Sequence, residues 1–124
     1  MQSLPFQRGL TKMENCIFCK IAKGEIPSTF VYEDDKICAF KDINPIAPVH
    51  VLIIPKEHIA SAMEINADNS SIVAHIFSKV GEIAKIMGVD ESGFRLVNNC
   101  GADGGQTVMH LHFHLLGGKA LPWE

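Results

Sequence analysis

Three histidines stand at alternate positions near the carboxyl end: His110, His112 and His114, within Met109-His110-Leu111-His112-Phe113-His114-Leu115-Leu116. Side chains alternate across an extended strand, so the three imidazoles share one face while Met109, Leu111, Phe113 and Leu115 share the other. Imidazole changes charge near neutrality and can serve as nucleophile, acid, base or metal ligand. Alternate residues lie about 6.5–7 Å apart, so two neighbours can share an ion; the outer pair, about 13 Å apart, cannot easily do so. At least one of the three therefore has another task. A row of imidazoles suits the transfer of a group that carries negative charge.

Gly104-Gly105-Gln106-Thr107 leads directly into this row. Glycines let backbone N–H groups approach phosphate oxygens closely, and the Thr107 hydroxyl adds a donor. Taken alone the segment reads as a plain hairpin turn, because it lacks the Gly-Lys-Ser/Thr ending of a nucleoside-triphosphate loop. Joined to the histidines it reads as a phosphate cradle. Among the four cysteines, Cys38 and Cys100 read as small core residues. Cys16 and Cys19, at i and i+3, share one face of a helix, a spacing that suits a chelate, a redox pair or two unligated thiols. His58, after a charged Pro-Lys-Glu loop, and His75, within a helical stretch, read as solvated or partly buried.

The elements that must position these residues follow from periodicity and punctuation. Cys16 to Lys23 predicts a short amphipathic helix that ends at Gly24. Thr29 to Glu33 and Lys36 to Lys41 predict two antiparallel strands joined by Asp34-Asp35. Asp42 to Pro48 is a proline-marked loop, followed by a largely buried strand from His50 to Pro55. Ile72, Ile76, Val80, Ile83 and Met87 recur at helical spacing and predict one long helix over Asn69 to Met87, with Asp68 or Asn69 capping its start and Gly88 its end. Phe94 to Asn98 and Val108 to Leu116 complete the strands. Hairpins with segregated helices and no regular strand–helix alternation define an α+β fold with an antiparallel sheet.

The 124 residues, 47% hydrophobic and 20% charged, suit one compact domain, from Met13 to Glu124. Met1 to Lys12 reads as a flexible N-terminal extension. A formal charge of −3 offers no footprint for nucleic acid or for an anionic membrane. No apolar run reaches the roughly 18 residues that span a bilayer, and the start lacks a secretory signal, so the expected location is the cytoplasm.

His110-Leu111-His112-Phe113-His114-Leu115-Leu116 resembles, at every position, the His-φ-His-φ-His-φ-φ signature of the histidine triad family, where φ is apolar. Likeness to that family's nucleotide-binding phosphoramidase branch extends from about Asn15 to Trp123. It runs through Ile17-Phe18, Gly24-Glu25-Ile26-Pro27, Asp42-Ile43-Asn44-Pro45, His50 to Lys56 and Gly104 to Thr107. The resemblance implies a five-stranded antiparallel sheet with one long and one short helix. It also implies that His112 attacks the α-phosphorus of a purine nucleotide to give a nucleotidyl-histidine, which water hydrolyses to the monophosphate. Thr107, His114 and loop amides would steady the phosphate, and His110 would support the site. Asp42 would accept the ribose hydroxyls; Phe18, Ile26 and Ile43 would line the base slot, and Asn99, Gly105 and Gln106 would complete the phosphate end.

Some members of the family hold zinc with a cysteine pair and two histidines. The resemblance assigns these ligands here to Cys16, Cys19, His50 and His110, a closed and hence structural site. In zinc-free relatives the counterpart of His50 belongs to a proton relay behind the nucleophile. The branch also implies a homodimer in which the C-terminal segment around Trp123 packs near the partner's active site. The expected activity is cleavage of nucleoside 5′-phosphoramidates or related adenylates. The alternatives are a dinucleoside polyphosphate hydrolase or nucleotidyl transferase, and a nucleotide-sensing or scaffolding protein without turnover.

Overall fold

The computed structural model describes residues 15–123; the expected extension Met1 to Lys12 lies outside them. Among the described residues are two α-helices, α1 at Ile17–Ala22 and α2 at Ser71–Ile86, a 3-10 turn at Ala62–Glu64 and five strands. The strands are β1 (Phe30–Glu33), β2 (Ile37–Lys41), β3 (Val49–Pro55), β4 (Phe94–Val97) and β5 (Phe113–Gly117). They form one sheet in the order β1-β2-β3-β5-β4, and every neighbouring pair is antiparallel. The expected α+β architecture is therefore the observed one.

Alternation divides the sheet into two faces. Ile37 and Ala39 of β2, Val51 and Ile53 of β3 and Leu115 of β5 pack under α2 against Ile76, Val80, Ile83 and Ala84. Each fully buried isoleucine, leucine or valine there contributes about 1.5–3 kcal/mol by leaving water. The opposite residues Cys38, Phe40, Leu52 and Ile54 meet α1 through Cys16, Phe18, Cys19 and Ile21. Cys38 thus serves the core, as expected, and burial pushes its thiol up to about 12.

Local chemistry sets the ends of the elements. Asp34 closes the β1–β2 turn by accepting the N–H groups of Lys36 and Ile37 on Oδ1, at 2.8 and 2.9 Å. Its Oδ2 accepts from Tyr32 Oη and from His75 Nε2 of α2, each at 2.8 Å, which fastens the hairpin to the long helix. Gly88, with φ of 76°, ends α2 as expected. The start differs: the N-cap is Ser70, without a side-chain bond, while Asn66 and Asn69 bond to each other's backbone just ahead of it. The last strand is also shorter than expected, beginning at Phe113, because Val108 to His112 leave the ladder. There Gln106 bonds to the Ala60 and Val108 carbonyls, and the Leu111 N–H is taken by Ile59 O.

Candidate active site and metal centre

His112 lies on the α1 face of the sheet and is almost fully buried. Its Nδ1 is 2.7 Å from the main-chain oxygen of His110. A carbonyl only accepts, so Nδ1 carries the ring proton and Nε2 keeps its lone pair. Phe18 of α1 meets the ring edge-on, with centroids 5.1 Å apart, and holds its plane. His114 lies on the other side, 5.2 Å from His112 by ring centroid.

These rings open on a cleft of about 520 Å³, large enough for a nucleotide-sized ligand. Its walls include Phe18, Ile26, Phe40, Asp42, Ile43, His50, Thr107, His112 and His114. The cleft thus brings together Phe18, Ile26, Ile43, Asp42, Thr107, His112 and His114 from the expected set. Ile43 is 88% exposed at the rim. Asn99, Gly105 and Gln106 are not part of the lining. Gln106 is buried and braces the loop, its Oε1 accepting from Gly101 N and its Nε2 donating to Ala60 O and Val108 O. Asn99 Nδ2 donates to Gly104 O at 2.7 Å, and Gly105 has φ of 83°, so the loop is a braced turn that presents Thr107.

Behind His114 stands His50, with Nε2 2.9 Å from His114 Nδ1 and 3.4 Å from Asp42 Oδ2. Burial lowers the pKa of His50 against the pull of Asp42. Burial, with His112 and His50 adding to it, pushes His114 down to about 4, so both rings are neutral at pH 7. Asp42 Oδ1 accepts the Asn44 N–H at 2.8 Å, which orients the carboxylate at the rim.

The metal cluster corrects one expectation. Cys16, Cys19 and His110 are joined by His58, and one ligand atom from each lies within 4.8 Å of the others. His110 Nδ1 is 3.2 Å from Cys16 Sγ and 3.5 Å from Cys19 Sγ, and His58 Nδ1 is 3.2 Å from Cys19 Sγ. His50 is not there. It pairs with Leu116 in the β3–β5 register, six residues or about 20 Å along the chain from His110. His110 instead stands beyond the end of β3, where its Nε2 donates to Pro55 O at 2.8 Å. That bond leaves His110 Nδ1 bare toward the sulfurs, the tautomer a metal ligand needs.

The donor chemistry fits a closed tetrahedral N2S2 site. Cys16 is the N-cap of α1, its Sγ accepting the Cys19 N–H at 3.3 Å. Burial and the neighbouring Cys16 push Cys19 up to about 11, so the second thiolate requires a cation beside it. Asp42, His50 and His114 also cluster, but the Ile46 N–H donates to His50 Nδ1 at 3.1 Å. The proton of neutral His50 therefore sits on Nε2, where a cation would have to bind.

A sheet of this topology, carrying an imidazole row beside a nucleotide-sized cleft, defines the histidine triad class, and the chain belongs to the histidine triad family. Residues 15–121 match the family described as scavenger mRNA decapping enzyme C-term binding. The purine nucleoside phosphoramidase of Escherichia coli K12 is 44% identical over 108 residues, 87% of this chain and 91% of that one. A histidine triad protein from Clostridium difficile, solved as a structure, is 57% identical with a TM-score of 0.85, covering 87% of this chain and 94% of its own. A HIT family hydrolase from Legionella pneumophila is 52% identical with the same TM-score of 0.85, covering 88% and 97%.

Proposed function

We propose that the chain hydrolyses purine nucleoside 5′-phosphoramidates, or related adenylates, at the α-phosphorus. The observation that carries this reading is the orientation of His112: a buried ring whose Nδ1–H is held by His110 O, which turns Nε2 toward the cleft as the nucleophile. In the first step His112 Nε2 bonds to phosphorus and the P–N bond breaks, the amine leaving with a proton taken from solvent. In the second, water attacks the phosphorus, the His112–P bond breaks, and the nucleoside monophosphate is released. Thr107 and His114 steady the phosphate oxygens, Asp42 accepts the ribose hydroxyls, and Phe18, Ile26 and Ile43 enclose the base. Asn99, Gly105 and Gln106 support the phosphate end by holding the Thr107 loop. The 44% identity to the phosphoramidase of E. coli favours this substrate class over dinucleoside polyphosphates.

The metal at Cys16, Cys19, His58 and His110 is read as zinc. With four protein ligands it supplies structural bracing, leaving His112 free for chemistry. The working form is a homodimer, supported by exposed apolar side chains on α2, Phe77 and Ile86, beside a sheet whose edge is β4. Its place is the cytoplasm, where cysteines that form no disulfide stay reduced.

The experiment is His112→Ala with adenosine phosphoramidate as substrate. The expected result is a fall in kcat of roughly 10⁴-fold or more, with loss of the trapped nucleotidyl-histidine seen on the parent. Near-normal turnover by the variant would overturn the mechanism. Faster cleavage of diadenosine polyphosphate by the parent would overturn the substrate class.

A further inference from the structure

Ile46, in the loop between β2 and β3, touches the site twice. Its side chain belongs to the cleft lining, and its main-chain N–H donates to His50 Nδ1 at 3.1 Å. A backbone N–H cannot accept, so His50 Nδ1 is the bare nitrogen and the ring proton sits on Nε2. That proton points at His114 Nδ1, 2.9 Å away, which must then be an acceptor. A neutral His114 that accepts on Nδ1 carries its own proton on Nε2, the nitrogen left for the cleft. His50 is 6% exposed, so water offers little alternative to this chain of donors. The charged and titratable groups that face the two rings are Asp42, at 3.4 Å from His50 Nε2, and His112 beside His114.

Reversing one link reverses the rest. If His50 carried its proton on Nδ1, its bare Nε2 would require a donor from His114 Nδ1, and His114 would turn a lone pair toward the cleft. A lone pair repels a phosphate oxygen where an N–H would bind it. We propose that the main-chain N–H of Ile46 is a positioning group for the reaction: it sets the tautomer of His50, and through it makes His114 a hydrogen-bond donor to the phosphate. This rests on the reading of His112 and His114 given above, and adds to it a loop residue that lines the cleft and orders the site with its backbone. Lining the cleft and arming His114 are then properties of one loop.

The test uses the full chain labelled with ¹⁵N-histidine, in which imidazole nitrogen shifts report the tautomers of His50 and His114 directly. The parent and Ile46→Val, which keeps the donor, should both show Nε2–H on the two rings. Ile46→Pro deletes the donor. An amide-to-ester replacement at residue 46 deletes it while keeping the side chain and the backbone angles, and decides the matter if the proline variant does not fold. In the ester form His50 should shift toward Nδ1–H and His114 with it. Its kcat should fall about tenfold, the worth of one ordinary hydrogen bond, with KM within about twofold of the parent. Nδ1–H on His50 in the parent, or unchanged tautomers and rate in the ester form, would overturn the inference. Expected tautomers in a parent that turns over no phosphoramidate would support the inference's structural claim and overturn the proposed function.

Discussion

His110 commits its polar atoms in three directions: Nδ1 to the cysteine sulfurs, Nε2 to Pro55 O, and its carbonyl to His112. The middle histidine of the row depends on its neighbour's backbone, and the metal cluster on the same neighbour's ring. His58 completes that cluster, and the decisive contrast is between two alanine variants. If the cluster holds the proposed metal, His58→Ala should weaken its binding by well over the roughly 10–100-fold that loss of an outer-shell partner costs, whereas His50→Ala should leave the metal content as in the parent. Elemental analysis after dialysis checks both; metal lost from His50→Ala and kept by His58→Ala would restore the original assignment. The cysteine pair and the histidine row were legible because each is local in sequence. His58 was not, because its partnership with His110 depends on the β3–β5 register, which aligns His50 with Leu116 and sends His110 past Pro55. Antiparallel pairing of the segments at 50–55 and 110–116 was the available signal, since it brings the start of one to the end of the other.

At the scale of elements, the β1–β2 hairpin is tied to α2 through Asp34, a carboxylate that accepts four hydrogen bonds. Burial alone would raise its pKa, but the bonds from His75, from the Lys36 and Ile37 amides and from Tyr32 hold it well below the usual carboxylate range. A pKa lowered by folding means that the unfolded chain binds the proton more readily. The stability is thus fully present above the ordinary value of 3.8 and is lost as pH falls from there toward the folded value. Asp34→Asn should therefore cost about 1–3 kcal/mol at pH 7, and the gap to the parent should close at acid pH. Urea unfolding at pH 7 and in the acid range measures this; an undiminished gap in acid would show that the charge is not what matters. Period and punctuation predicted these elements to within a residue or two. The exception is the span Val108 to His112, whose alternation is strand-like but whose hydrogen bonds go to Ile59 and to the Gln106 side chain, partners remote in sequence or outside the backbone pattern.

At the scale of the whole molecule, the sheet ends in β4, and Arg95 on that strand holds the C-terminal segment by donating to Leu121 O and Pro122 O at 2.9 and 2.7 Å. Trp123 follows, 90% exposed. A large ring held there, with Phe77 and Ile86 exposed on α2, is suited to a second copy. Light scattering should give twice the chain mass, and Phe77→Glu should reduce it to one; a monomeric parent would sink the dimer. The overall class was legible from the order of hairpins and helices, whereas the pairing of β3 with β5 rests on contacts some sixty residues apart, which no local pattern encodes. The two faces of the sheet are unequal in cover. One carries a sixteen-residue helix, and the other, which holds the cleft, has only the six residues of α1. A helix so short does not stand by itself; Cys16 and Cys19 moor it to His58 and His110, and its Phe18 braces His112. Loss of that mooring would leave α1 held only by the packing of Phe18 and Ile21 on the sheet, so the site is expected to open as a separate cooperative unit, below the free energy of global unfolding. A melting curve reports the survival of the larger core, and competence can be lost well before it moves.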